Sequence, residues 1–145
     1  MNPLLVDPSM RLFAVCAAIL VIKMLVTANL TGFLRTSRSV YSSPEDYRLF
    51  GQEPKTARDE QIERIRRAHR NDLENVLPFF AVGFLYALAA PSSTVAAVLF
   101  VAFTVARIVH TAVYIAGLQP WRTITFAVAQ VALYAMALIV LFRVL

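Results

Sequence analysis

Between Glu63 and Phe80 the chain reads ERIRRAHRNDLENVLPFF, passing from an arginine-rich polar stretch into a membrane-grade apolar run with no turn between them. Backbone that enters hydrocarbon must satisfy its own hydrogen bonds, and a single segment does so only as a helix. The transition therefore dictates one helix with a wet half and a lipid half. At 3.6 residues per turn, Arg67, Arg70, Asn71 and Glu74 fall at i, i+3, i+4 and i+7 and share a face. Two guanidiniums, an amide and a carboxylate converging at a membrane edge suit a small zwitterionic ligand with several carboxylates. They suit bare lipid badly. A snorkelling anchor at the headgroups accounts for Arg64 and Arg66, but not for Asn71 and Glu74, which lie nearer the apolar run.

The rest of the chain agrees with a membrane setting. Of its 145 residues 59% are hydrophobic and 16% charged, against roughly a quarter charged in a soluble domain. We expect an all-α integral membrane protein, a single domain over 1–145 folded as an up-down four-helix transmembrane bundle. Its spans lie at about 12–34, 59–90 (including a polar extension before the apolar core at 76–90), 95–118 and 123–145, with a polar loop at 35–58. Pro78 is placed to kink the second span. The short break Ala90-Pro91-Ser92-Ser93 and the turn Gly117-Leu118-Gln119-Pro120 make neighbours antiparallel.

Orientation follows from the basic residues. Nine of the fourteen Lys and Arg lie between Arg35 and Arg70, and Arg122 marks the turn before the last span. The opposite side offers Arg11, Arg143 and an uncharged turn. The positive-inside rule puts the first and third loops in the cytoplasm and both termini outside, in a bacterial inner membrane or the endoplasmic reticulum. The net charge of +5 does not point to nucleic acid, because eight of the nine acidic residues lie between Glu45 and Glu74, among those same bases. The lone Cys16 reads as a buried small hydrophobe. Metal binding is not expected: two histidines on different helices and one cysteine make no ligand set.

Several polar residues fall inside the spans. A charge at a helix centre costs about 2.5–3.5 kcal/mol on insertion, so such residues face protein or water. Lys23 in the first span calls for a carboxylate partner, Asp72 or Glu74. On the third span Arg107, His110 and Tyr114 lie at i, i+3 and i+7. Arg107, the deepest, reads as structural, whereas His110 reads equally as a core residue or a ligand contact. Four helices enclose so many groups with difficulty; a homo-oligomer with sites between subunits does so readily.

Taken together, the second-helix motif, VIKM at Val21–Met24, the loop Ser43-Pro44-Glu45-Asp46, ARIVHTAVY at Ala106–Tyr114 and Arg122-Thr123 resemble the membrane-associated proteins in eicosanoid and glutathione metabolism. That family contains the microsomal glutathione transferases and the microsomal prostaglandin E synthases. The resemblance covers nearly the whole chain and implies a homotrimer of four-helix subunits, with glutathione bound between subunits towards the cytoplasm. It implies a glutathione pocket of Arg35, Arg67, Arg70, Asn71, Glu74, His110, Tyr114, Arg122, Thr123 and Phe126. Arg67 and Arg70 take the ligand's carboxylates, Glu74 its amino group, His110 and Tyr114 its backbone, and Arg122 with Thr123 the thiol. Thr123 stands where the synthase pattern has serine, and Phe126 where it has tyrosine. Asp46 matches a loop aspartate suited to proton handling in isomerisation, and equally to a plain turn.

The activity implied is a glutathione-dependent transferase or peroxidase acting on a lipophilic electrophile or lipid hydroperoxide drawn from the lipid bilayer. A prostaglandin E synthase-type isomerase, taking an endoperoxide, and a non-enzymatic lipid-binding member are the alternatives within the family. A small multidrug exporter is disfavoured, since Lys23 stands where proton coupling would need a carboxylate.

Overall fold

The computed structural model describes residues 6–53, 59–89 and 92–145. These residues form five helices, α1 (Pro8–Arg38), α2 (Pro44–Leu49), α3 (Glu60–Leu88), α4 (Ser93–Ala116) and α5 (Trp121–Val144). Four are long. The fifth, α2, is six residues within the polar segment expected to be a plain loop, so the expected count of four is short by one. The remainder of that loop at 54–58, and Ala90-Pro91 of the next break, lie outside the described residues.

Local chemistry sets the helix ends. Asp7 caps α1 by accepting from Met10 N at 2.8 Å, with Pro8 pre-set in the first turn. Arg35 and Arg38 sit in the last turn of α1, where cations suit the exposed carbonyls. Asp59 caps α3 through Gln61 N at 3.0 Å and Ile62 N at 3.1 Å. Helix α3 runs unbroken through Pro78. Gly117 ends α4 with φ of 74°, the left-handed conformation that glycine adopts freely.

Three helices among the described residues, α1, α4 and α5, are long and apolar enough to cross a membrane. Helix α3 is equally long, but its apolar part runs only from Val76 to Leu88. At 1.5 Å per residue that part covers about 20 Å, short of a roughly 30 Å hydrocarbon core. The polar half of α3 is therefore the element that carries charge towards the bundle interior.

Helices α3 and α4 make the central pair; α1 and α5 each pack against both. Connectivity alternates direction, so one end of the bundle gathers the end of α1, α2 and the starts of α3 and α5. At the other end the core is aromatic. Phe79 and Phe103 stack at 4.3 Å, and Phe13 lies 5.7 Å from Phe100 and 5.8 Å from Phe79. Gly83 lets α1 approach closely, since a Cβ there would fall 2.9 Å from Phe13 Cε2. Where the surroundings are lipid, such contacts act through packing instead of expulsion of water. The outward faces remain apolar: Phe33, Val131 and Phe142 are each more than two-thirds exposed. Cys16 is buried in the core.

Candidate functional site

Two polar clusters occupy the middle and the polar end of the bundle. The first is centred on Asp72, fully buried on α3. Lys23 from α1 pairs with its Oδ2, and Arg107 from α4 with its Oδ1. Thr111 Oγ1 donates to Oδ2 at 3.1 Å. Asp72, not Glu74, is thus the carboxylate that Lys23 requires. Arg107 Nη2 also donates to Asn71 Oδ1 at 3.0 Å. The Asn71 carbonyl accepts from Asn75 Nδ2 at 2.7 Å, and Asn75 Oδ1 from Gln130 Nε2 of α5 at 2.6 Å. The oxygens of Asn71 are committed inward, so its amide nitrogen is what it can offer a ligand. One carboxylate shared by two cations offsets part of the cost of placing each in an apolar interior, and Arg107 Nε and Nη1 have no hydrogen-bond partner among the described residues.

The second cluster surrounds the polar half of α3 at the bundle end. Arg67 donates from Nη2 to Glu60 Oε1 at 2.8 Å and lines the same cavity as Tyr114. The Glu60 carboxylate raises the Arg67 pKa still further above its ordinary value, so this side chain stays cationic. The Arg122 guanidinium lies over the Tyr114 ring, 4.9 Å from its centroid. Arg64, Arg67, Tyr114, Gly117 and Arg122 enclose a cavity of about 170 Å³. A Cβ on Gly117 would fall 2.2 Å from Arg64 Nη1, so the bare glycine makes room for that guanidinium.

Around the same helix, Arg67 and Arg70 join Glu63 and Arg66 about a cavity of about 140 Å³. Between α1 and α3, Arg35, Arg66, His69 and Arg70 face a larger one of about 330 Å³, floored by Ala28, Thr31 and Leu73. Arg35 Nη1 donates to Ser42 Oγ at 3.1 Å. The structure thus brings together Arg35 with Arg70, and Arg67 with Tyr114 and Arg122. It turns Asn71 towards Arg107.

His110 is buried and donates from Nδ1 to the Arg122 carbonyl at 3.0 Å, because a carbonyl can only accept. Its other nitrogen, Nε2, has no partner among the described residues. The ring lies edge-on to Tyr114 at 5.7 Å and 6.1 Å from Phe126. His110 therefore pins the start of α5, which carries Arg122 and Thr123, and keeps one nitrogen free. Glu74 is exposed and makes no hydrogen bond or ion pair among the described residues. Asp46 sits in the first turn of α2, braced by the Tyr41, Tyr47 and Phe50 rings; no hydrogen bond or ion pair among the described residues links it to Arg122.

Sequence reasoning passed over Gln119. A guanidinium carries only donors, so the Gln119 amide atom 2.7 Å from Arg122 Nη2 and 3.0 Å from Nε is the oxygen. No motif marks this residue; its turn position was the only signal. An apolar groove of about 640 Å³ between α4 and α5, lined by Val98, Val101, Val105, Val109 and Val128 among others, ends at Thr125 beside this cluster.

Comparison with known proteins matches these features to a family. The family model described as "MAPEG family" matches residues 13–142. Human prostaglandin E synthase is 38% identical over 138 residues, covering 94% of this chain and 91% of that protein. Human microsomal glutathione S-transferase 1 is 39% identical over 136 residues, covering 90% and 88%. The pig microsomal glutathione S-transferase 1 is 42% identical over 119 residues, covering 79% and 77%. With the family model spanning nearly its whole length, this chain belongs to the MAPEG family.

Proposed function

We propose that the chain is a membrane-embedded glutathione-dependent transferase, with peroxidase activity on lipid hydroperoxides, working as a homotrimer of four-span subunits with the glutathione site towards the cytoplasm. The observation that carries this reading is the cavity shared by Arg67, Tyr114 and Arg122, residues distant in sequence that converge on one cationic space. The names of the relatives, a glutathione S-transferase among them, point the same way.

Arg67 and Arg70 take the tripeptide's carboxylates, Asn71 offers its amide N–H, and Glu74 meets the ammonium group. Glu74 favours assembly. An exposed carboxylate two residues beyond buried Asp72 stands at the edge of the apolar run, where it needs a ligand or a neighbouring subunit. The cationic surface is also divided between two cavities, Arg35 with Arg70 in one and Arg67 with Arg122 in the other, so a neighbour that set the Arg35–Arg70 cavity against another subunit's Arg122 would complete one pocket.

A free thiol near pKa 8.5 is only a few per cent thiolate at pH 7. A guanidinium about 4 Å from the sulfur, at an effective dielectric of ~20, contributes up to roughly 4 kcal/mol. That ceiling is enough to make bound glutathione mostly thiolate. Arg122 supplies the charge, and Thr123 adds a hydroxyl donor. The electrophile arrives along the α4–α5 groove. In conjugation the sulfur forms the new carbon–sulfur bond and the leaving group departs with its electron pair. With a hydroperoxide, two glutathiones yield the disulfide, an alcohol and water. A prostaglandin E synthase-type isomerase is the second reading, favoured by the identity to that enzyme. It needs a base at the endoperoxide, and Asp46, in the first turn of α2, is the candidate.

The test is calorimetry with glutathione in detergent, then turnover with an aryl halide, a lipid hydroperoxide and an endoperoxide. Arg122→Leu should leave the oligomer intact and abolish the ultraviolet absorbance of bound thiolate. Failure of the wild-type protein to take up glutathione at millimolar concentration overturns the reading.

A further inference from the structure

We propose that Gln119 is a positioning residue that aims Arg122 and Thr123 at the ligand's sulfur; this rests on the reading of those two residues given above. Gln119 sits in the turn between α4 and α5, three residues before Arg122 and four before Thr123. Its oxygen accepts from both Nη2 and Nε of Arg122, at 2.7 and 3.0 Å. With the oxygen fixed there, the amide nitrogen lies 3.3 Å from Thr123 Oγ1 and donates to it.

Two consequences follow for the thiol. Arg122 is clamped on two sides, by the Tyr114 ring against its face and by Gln119 along one edge. Nη1 is the nitrogen left uncommitted among the described residues. A neutral acceptor does this without cancelling the charge, so the guanidinium keeps its full pull on a thiolate.

The second consequence concerns the hydroxyl proton of Thr123. Elsewhere in the helices, Thr27, Thr31, Thr36 and Thr125 spend that proton on the carbonyl four residues back. Thr123 does not. Its oxygen accepts from Gln119, which leaves its proton available for an acceptor in the cavity. One amide thereby sets both the cation and the hydroxyl donor.

The experiment titrates the thiolate absorbance of glutathione bound to the detergent-purified oligomer, in wild type, Gln119→Leu, Gln119→Glu, Thr123→Val and the Leu/Val double variant. Gln119 is exposed, so the substitutions leave the helix packing alone. Gln119→Leu should raise the thiol pKa by about one, a tenfold fall in the thiolate-to-thiol ratio, and lower kcat with little change in KM for glutathione. Gln119→Glu should raise it further. Its carboxylate still accepts from Arg122 but neutralises the guanidinium and removes the donor to Thr123. Adding Gln119→Leu to Thr123→Val should shift the thiol less than it does in wild type. A purely structural role predicts the reverse order, with the shape-conserving Glu near wild type. That order, or an unchanged thiol pKa in both single variants, overturns the proposal. Absence of any bound thiolate in wild type would instead sink the functional reading beneath it.

Discussion

Asp72 and Glu74 are two residues apart on one helix and obey opposite rules. Asp72 is fully buried and holds Lys23, Arg107 and Thr111, so its charge is answered inside the chain. Glu74 is exposed and has no hydrogen bond or ion pair among the described residues, on the same helix as Arg67 and Arg70. Burial of a charge in an apolar setting is tolerated only with compensation. The cluster that is compensated from within is architecture, tying α1, α3 and α4 together. The outer surface, where Arg67 pairs with Glu60 but Glu74 has no partner among the described residues, is where we propose that a second molecule binds.

The largest effect should come from breaking the inner cluster. Asp72→Asn leaves Lys23 and Arg107 buried without a counter-charge, and removing one partner of such a set costs about 3–5 kcal/mol. Thermal unfolding in detergent should show the loss even with no glutathione present. If stability were unchanged, the distinction between the two clusters would collapse.

Arg70→Ala probes the outer surface and should do the converse. Glutathione affinity should fall by about 2–3 kcal/mol, the loss of a charged hydrogen bond, while the unfolding temperature without ligand stays put. Normal affinity in this variant would remove Arg70 from the pocket.

Gly117→Ala sharpens the comparison at the turn. A side chain at φ of 74° is strained, and its Cβ would meet Arg64 Nη1. The cost should be about 1–2 kcal/mol, with Arg64 displaced from the cavity it shares with Arg122. An undiminished unfolding temperature would argue that the turn relaxes freely.

The smallest effect belongs to Asp59, at the edge of the outer region. Its bond from Arg38, together with those from the Ile62 and Gln61 amides, holds its carboxyl below the ordinary 3.8. A depressed folded pKa means the contribution is complete above the unfolded value and fades as pH falls through the folded one. Acid titration of stability should therefore show a small loss below about pH 4. Asp59→Asn should abolish that step, and its persistence would assign the acid sensitivity to another group.

Much of this was legible in advance, and for reasons that can be named. Long apolar runs announce α1, α4 and α5 because hydrocarbon admits few backbone conformations. The i, i+3, i+4, i+7 pattern placed Arg67, Arg70, Asn71 and Glu74 on one helix, and the need of Lys23 for a carboxylate follows from its depth. Helix α2 was not legible, since six residues held by Tyr41, Tyr47 and Phe50 packing leave no periodic signal. The choice of Asp72 over Glu74 was equally hidden, because the two differ only in which side of α3 they project from once α1 and α4 have packed against it.

From the order of residues alone came the helical class, the membrane setting and the cationic helix face, all of them properties of spacing and polarity along a single segment. The tertiary structure decided which carboxylate Lys23 and Arg107 share, that Arg122 lies over Tyr114 beside Arg67, and that Gln119 grips the Arg122 edge. These are contacts between segments far apart in sequence or across a turn, set by how the helices pack, and no periodicity within one helix encodes its neighbour's rotation.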